Sequence, residues 1–191
     1  MSYNFIFFGN ANISKATIEH LIKNNIYPTA IFSETKKKFN SDYVDLSNTN
    51  LSIKHKYKTS NINSKKNINI IKKLKPDFIL CIGMNTIIKK ELLQIPRYGC
   101  IGFHPTDLPY NRGNSPIIWT IILGLEKSYC TFFRMDEKID NGTILLKKSI
   151  KVNKHNTSTS LYYKIVKTTK NELLKFIFLE KYKKKLKEKI Y

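Results

Sequence analysis

The opening thirty-two residues constrain the fold more than any other part of the chain. Tyr3-Asn-Phe-Ile-Phe-Phe8 is an apolar run cut off at Gly9, with the length and residue types of a buried strand. Behind it Ile13, Ala16, Ile18, Leu21 and Ile22 recur at near-helical spacing, and Asn12 or Ser14 is the expected cap. Pro28-Thr-Ala-Ile-Phe32 supplies a second short strand. Strand, helix and strand at this spacing form a βαβ unit, whose crossover makes the two strands parallel. Gly9-Asn10-Ala11 is not a G-x-G-x-x-G fingerprint, so the unit does not imply a dinucleotide cofactor.

Residues 33–64 are polar and poorly periodic and read as long loops with room for one short strand. Order returns with a helix over Lys65–Leu74, whose apolar positions are Ile68, Ile70, Ile71 and Leu74 and which Pro76 stops. A strand over Asp77–Ile82 ends at Gly83; a helix over Thr86–Leu93 follows, then a strand over Cys100–Phe103. Ser115–Leu123 is helical, with Pro116 tolerated in the first turn. Tyr129–Met135 and Thr143–Ile150 pair as strands around Asn141-Gly142. From Ser158 onward Leu161, Ile165, Val166, Leu173, Leu174, Ile177 and Phe178 mark a helical tail with a lysine-rich end, to about residue 191. The sum is a single α/β domain, a Rossmann-like three-layer arrangement with a mostly parallel central sheet and helices on both faces.

Composition narrows the function classes. The formal net charge is +20, from 34 Lys and Arg against 14 Asp and Glu. Such an excess can serve nucleic acid or acidic substrates. Here it is almost all lysine, with arginine only at 97, 112 and 134, which reads as a biased solvated surface rather than a base-reading device. Arg112 and Arg134 read as buried. Cys81, Cys100 and Cys130 each sit in a short apolar run, as expected of buried free thiols rather than a disulfide or zinc framework. No apolar run approaches the roughly 20 residues a membrane helix needs, and Met1–Asn10 lacks signal-peptide features. The expectation is a cytoplasmic protein.

Chemistry concentrates in Gly99-Cys-Ile-Gly-Phe-His104-Pro-Thr-Asp-Leu-Pro109-Tyr-Asn-Arg112-Gly113-Asn-Ser-Pro-Ile-Ile-Trp119. His104 lies at the carboxyl end of a strand, where open α/β sheets bind ligands. Pro105 and Pro109 stiffen the loop that follows. Gly113 permits either a close backbone approach or a sharp turn. Downstream, Arg134-Met-Asp136-Glu137-Lys-Ile-Asp140-Asn-Gly142 places three acids ahead of a glycine turn. A carboxylate beside an imidazole fixes its tautomer and favours its cation. Taken alone, Asp140 before Asn141-Gly142 is also an ordinary hairpin residue. Tyr110 and Trp119 are expected to pack in the loop and the core, and His20, His55 and His155 carry no expected role.

Together, Gly-Phe-His104-Pro-Thr-Asp-Leu-Pro109, Arg112-Gly113 and Pro116-Ile-Ile-Trp119 resemble the signature loop of the folate-dependent formyltransferases. Met135-Asp-Glu-Lys-Ile-Asp140-Asn-Gly142 is similar to that family's second motif, and the likeness spans roughly residues 1–165. Its implications are a formyl donor, 10-formyltetrahydrofolate, and an amine acceptor. His104 and Asp140 would be catalytic. Gly83, Met84, Asp136, Glu137, Asp140 and Asn114 would contact the donor. Pro105, Thr106, Tyr110 and Arg112 would contact the acceptor, with Arg112 suited to a phosphate. Within the family the loop looks most like that of enzymes modifying nucleotide-linked amino sugars. That implies a small-molecule partner and neither membrane nor specific nucleic acid.

One departure stands out. The family places an asparagine two residues before the histidine to polarise the formyl oxygen, and this chain has Gly102 there. Asn85, Asn111, Asn114 or Asn141 could bring an amide from elsewhere. Three alternatives therefore stay open. A glycinamide ribonucleotide formyltransferase has the right length but would usually lack the Leu-Pro-Tyr-Asn-Arg-Gly form of the loop. A methionyl-tRNA formyltransferase shares the loop but carries a further C-terminal domain, not expected here. A non-catalytic anion- or nucleic-acid-binding derivative would use the charge after losing the asparagine.

Overall fold

In the computed structural model, which describes residues 3–37 and 41–178, the elements run β1 (Phe5–Phe8), α1 (Asn12–Lys23), β2 (Ala30–Glu34), a 3-10 turn (Leu46–Asn48), β3 (His55–Thr59), α2 (Lys65–Leu74) and β4 (Phe78–Cys81). They continue with α3 (Lys90–Leu93), β5 (Cys100–His104), α4 (Pro116–Ile122), β6 (Lys127–Met135), β7 (Gly142–Lys151) and α5 (Ser158–Phe178). The strand order is β3-β2-β1-β4-β5-β6-β7. β3, β2, β1 and β4 pair in parallel and β6 with β7 antiparallel, which is the mostly parallel α/β Rossmann-like arrangement expected. Two compact units divide the chain, one ending at Ile101 and one starting at Gly102.

In the first unit every residue of β1, β2 and β4 is buried, as in parallel strands covered on both faces. β2 lies two residues later than expected and runs on through Ser33 and Glu34. Those polar side chains are buried with partners: Ser33 Oγ accepts from the Leu46 amide at 3.1 Å and Glu34 Oε1 from the Ile62 amide at 3.1 Å. β3 is the short strand left open by the sequence, an edge strand of half-exposed residues. Ser64 caps α2 by accepting from the Asn67 amide at 3.4 Å, and Lys75 ends it in the left-handed region at φ 46°.

Two expectations need correcting here. The helix expected over 86–93 is confined to Lys90–Leu93. The Asn63 side chain binds the preceding backbone instead, donating to the Ile87 carbonyl at 3.0 Å and accepting from the Lys89 amide at 2.8 Å, a side-chain competitor to helix formation. The N-cap of α1 is Ala11, not Asn12 or Ser14. Ser14, inside the first turn, accepts from the Ala11 amide at 3.1 Å and donates to the Ile82 carbonyl at 2.6 Å. Gly9 and Gly83 both press on it: a Cβ on either would come within 2.5 Å of a Ser14 atom. Ser14 thus joins the ends of β1 and β4 to the start of α1.

In the second unit β6 and β7 form a long hairpin, with a register shift between Phe132 and Phe133. α5 buries Leu161, Ile165, Thr169, Leu173 and Phe176, near four-residue steps that define one helix face. Phe176 stacks on Phe132 at 6.0 Å between centroids. The sequence stripe omitted Thr169, whose buried hydroxyl donates to the Ile165 carbonyl at 2.8 Å. The lysine-rich end at 179–191 lies outside the described residues. The three cysteines are free and buried, one in each of β4, β5 and β6. Burial pushes the Cys130 thiol up to about 12.

Ser14→Ala removes one hydroxyl and leaves a buried carbonyl and a buried amide without their partner. It should lower stability by about 1–3 kcal/mol, read as the urea midpoint against the exposed control Lys15→Ala. Equal midpoints would show that Ser14 does not tie these elements together.

Candidate active site

His104 ends β5 and is 7 % exposed. Its Nε2 lies 3.3 Å from the carbonyl oxygen of Asn111, and its Nδ1 lies 3.6 Å from Asp140 Oδ1. The first is within hydrogen-bond range and the second within ion-pair range. The sequence could not say whether the histidine and the second motif meet; both lie in the second unit, and they do.

Asp140 belongs to the turn joining β6 and β7 and has φ 45°, a strained value that only a few non-glycine residues adopt. Gly142, at φ 114°, explains how the turn closes. A Cβ there would overlap the Arg134 carbonyl oxygen, so no other residue fits. Asp136 ties the turn from inside: its Oδ1 accepts from the Lys138 amide at 2.8 Å and its Oδ2 from the Asn141 side chain. The second oxygen of Asp140 accepts from the Gly113 amide at 2.9 Å. Gly113 has φ 100° and nothing within 4 Å of where a Cβ would stand. Its φ fits the sharp turn, one of its two sequence readings.

The electrostatics pull in two directions. Burial, the largest influence, holds the His104 pKa below the ordinary histidine value, while Asp140 and the Asn111 carbonyl raise it. Each neutral tautomer leaves one lone pair facing an acceptor: Nδ1 facing the carboxylate, or Nε2 facing the carbonyl. Only the imidazolium satisfies both. The ring is therefore neutral by burial yet surrounded by groups arranged for its cation.

The remaining expected site residues divide by location. Pro105 and Thr106 follow His104 directly, but Thr106 is 4 % exposed and its hydroxyl turns inward, 3.4 Å from the Tyr110 carbonyl. Tyr110 is 69 % exposed rather than packed, and Arg112 and Asn114 are exposed on the same loop. With Tyr110, two further readings are corrected: Arg112 is not buried, and Trp119 is 55 % exposed rather than a core residue. The cause for Trp119 lies in α4, which is apolar except at Thr120 yet buries that residue, leaving Ile118, Trp119 and Ile122 outward. Glu137 is exposed in the turn. Gly83 and Met84 belong to the first unit, half-buried after β4, with Gly83 at φ 66°.

Gly102 has a steric explanation. A Cβ there would stand 2.7 Å from the Phe133 ring and 3.0 Å from Met135 Cγ. The missing asparagine is thus a position filled by a neighbour. Of the candidate amides, that of Asn141 is engaged within the turn, and Asn111 brings its backbone carbonyl to His104. Sequence reasoning missed the roles of the Asn111 carbonyl and the Gly113 amide, because backbone groups leave no side-chain signature. The glycine at 113 was the only available hint.

The lowered His104 pKa carries a signed consequence. A histidine titrating lower in the folded than in the unfolded chain binds fewer protons when folded. Its stabilisation is complete above the ordinary value of 6.5 and is lost as pH falls towards the folded value. Relative to His104→Gln, the parent should lose stability as pH drops below 6.5, measured by urea unfolding between pH 7.5 and 5. A relative gain in acid would mean that Asp140 outweighs burial.

The sequence profile of the formyl transferase family matches residues 3–177. A methionyl-tRNA formyltransferase of Clostridium tetani is 41 % identical over 110 residues, covering 58 % of this chain and 36 % of that relative. This chain's match thus spans about a third of that relative's length. Among solved structures, a phosphoribosylglycinamide formyltransferase from Anaplasma phagocytophilum superposes with a TM-score of 0.75 at 15 % identity, covering 96 % of this chain and 89 % of the other. A sugar N-formyltransferase from a Shewanella species superposes with a TM-score of 0.71 at 22 % identity, covering 92 % and 70 %. At these identities the structural likeness is one of fold. The profile match over nearly all the described residues is the stronger finding, and by it the chain belongs to the formyl transferase family.

Proposed function

We propose that the protein transfers a formyl group from 10-formyltetrahydrofolate to a primary amine, with His104 as proton carrier and Asp140 as its partner. The single observation that carries this reading is the buried His104 at a strand end, flanked by Asp140 at 3.6 Å and the Asn111 carbonyl at 3.3 Å. The donor supplies an activated formyl carbon. The amine nitrogen bonds to that carbon and gives up a proton to neutral His104, whose cation Asp140 and the Asn111 carbonyl stabilise. As the carbon parts from the folate nitrogen, His104 returns the proton to that nitrogen. The turn from Asp136 to Asp140, exposed up to the half-buried Asp140, offers backbone donors and acceptors that suit the edge of a flat heterocycle. Asn114, exposed in the same unit, is a further proposed donor contact.

For the acceptor we favour a nucleotide-linked amino sugar, on the strength of the exposed Tyr110 and Arg112 in the loop after His104. A planar aromatic and a guanidinium suit a base or sugar and a phosphate. The 41 % identical relative supports a second acceptor, the amino group of an aminoacyl-tRNA, and the +20 charge is compatible with it. A panel of amino sugars, their nucleotide conjugates, glycinamide ribonucleotide and methionyl-tRNA separates them. Formylation of the tRNA alone would set the sugar reading aside.

Two variants test the chemistry. His104→Asn should keep donor binding while single-turnover formylation falls by about 100- to 10,000-fold; undiminished turnover would remove His104 from the mechanism. Gly102→Asn should not raise turnover, because the new side chain must displace the Phe133 ring, and it should cost about 1–3 kcal/mol by overpacking. A large gain in rate would mean that the glycine is a genuine loss of an oxyanion donor.

A further inference from the structure

The loop after His104 carries no regular secondary structure until α4, yet it brings the Asn111 carbonyl and the Gly113 amide to fixed places. Three side chains of the β6–β7 hairpin hold its backbone. Ser128 Oγ donates to the Pro105 carbonyl at 2.9 Å, Thr131 Oγ1 to the Thr106 carbonyl at 2.7 Å, and Lys147 Nζ to the Leu108 carbonyl at 2.8 Å. Ser128 and Thr131 are 1 % and 0 % exposed. Thr131 and Lys147 are opposite one another in the strand register. Lys147 also pairs with the Asp107 carboxylate and lies 5.3 Å from the centre of the Tyr129 ring, so its ammonium is held from three sides. At the other end of the loop, Asp140 from the turn of the same hairpin accepts the Gly113 amide.

We propose that Ser128, Thr131 and Lys147 are positioning residues that hold the backbone of the His104 loop, so that one hairpin sets both halves of the His104–Asp140 pair. Asp140 comes from the hairpin's own turn. His104, and the Asn111 carbonyl that faces it, are registered against the same two strands through three grips, on Pro105, Thr106 and Leu108. A geometry fixed in this way does not depend on two separately moving elements meeting. Displacements of the order of 1 Å at such a site cost roughly 100-fold in rate. None of the three side chains hydrogen-bonds to His104 among the described residues; their hydrogen bonds go to the loop backbone, so each acts through the loop. The inference rests on the proposed function in taking His104 as the reacting group.

The test uses the full chain and two readouts, one of which needs no activity. The first is the imidazole titration of His104 followed by NMR. The second is single-turnover formylation with 10-formyltetrahydrofolate and the best acceptor of the panel. Thr131→Val removes one grip without changing charge, and Thr131→Ser restores the hydroxyl. Lys147→Met removes another, Lys147→Arg keeps the cation, and Lys148→Met removes a neighbouring charge on β7 as the control. We expect Thr131→Val and Lys147→Met to move the His104 titration towards the ordinary histidine value as the ring becomes less enclosed. Turnover should fall by about 10- to 100-fold, with Thr131→Ser and Lys147→Arg recovering most of it and Lys148→Met unchanged in both readouts. Parent-like titration in both Thr131→Val and Lys147→Met would overturn the proposal, as would an equal effect from Lys148→Met. If the parent formylates nothing, the functional reading fails, while the titrations still decide whether the hairpin positions His104.

Discussion

The β6–β7 turn closes against the carbonyl oxygen of Arg134, in a space that only glycine fits. From that contact follow the left-handed conformation of Asp140 and the direction of its carboxylate, one oxygen towards His104 and the other on the Gly113 amide. The strain at Asp140 costs of the order of 1–3 kcal/mol and persists because neighbouring bonds over-determine it. Asp136 supplies two of those bonds and Gly113 a third. A hairpin turn of Asp, Asn and Gly is an ordinary object. Here the same residues hold a carboxylate against a buried imidazole.

Burial sets the resting state of that imidazole, and its acceptors set the state it passes through. A fully exposed histidine would gain little from Asp140, and an isolated buried one would resist protonation throughout the reaction. At His104 the two influences oppose each other, leaving a neutral ring whose cation is already provided for. This is the pattern expected of a group that must take a proton and give it back. Gly102 belongs to the same packing problem. The strand end that presents His104 lies against the Phe133 ring and Met135, so a side chain two residues earlier would have to displace that ring. In our account the developing oxyanion is met by a backbone amide, a water, an asparagine from elsewhere in the chain or the His104 cation.

Much of this was legible in the sequence, for physical reasons. The buried strands β1 and β4 read correctly because parallel strands covered on both faces are continuous apolar runs. The two motifs read as one site through their resemblance to the formyltransferases, since residue types alone left Asp140 an ordinary hairpin residue. What failed to read has causes as specific. β3 is an edge strand of His, Lys, Tyr and Thr, with no apolar alternation to find. The missing half of α3 is held extended by the Asn63 side chain, some two dozen residues away in sequence. Trp119 read as core because tryptophan is usually covered, whereas α4 turns Thr120 inward and leaves its apolar residues half-buried or exposed. Thr131 and Lys147 escaped notice because their partners are backbone carbonyls, which look alike in any sequence.

The central claim is that His104 moves the proton of a formyl transfer under the influence of Asp140. It is tested most directly by the pH dependence of single-turnover formyl transfer in the parent and in Asp140→Asn. The carboxylate raises the His104 pKa against the effect of burial, so its removal lowers that pKa further. The account predicts an acid limb in the parent, shifted to lower pH in Asp140→Asn, with a reduced plateau because the imidazolium has lost its counter-charge. An acid limb that stays in place, or a plateau that does not fall, would contradict it.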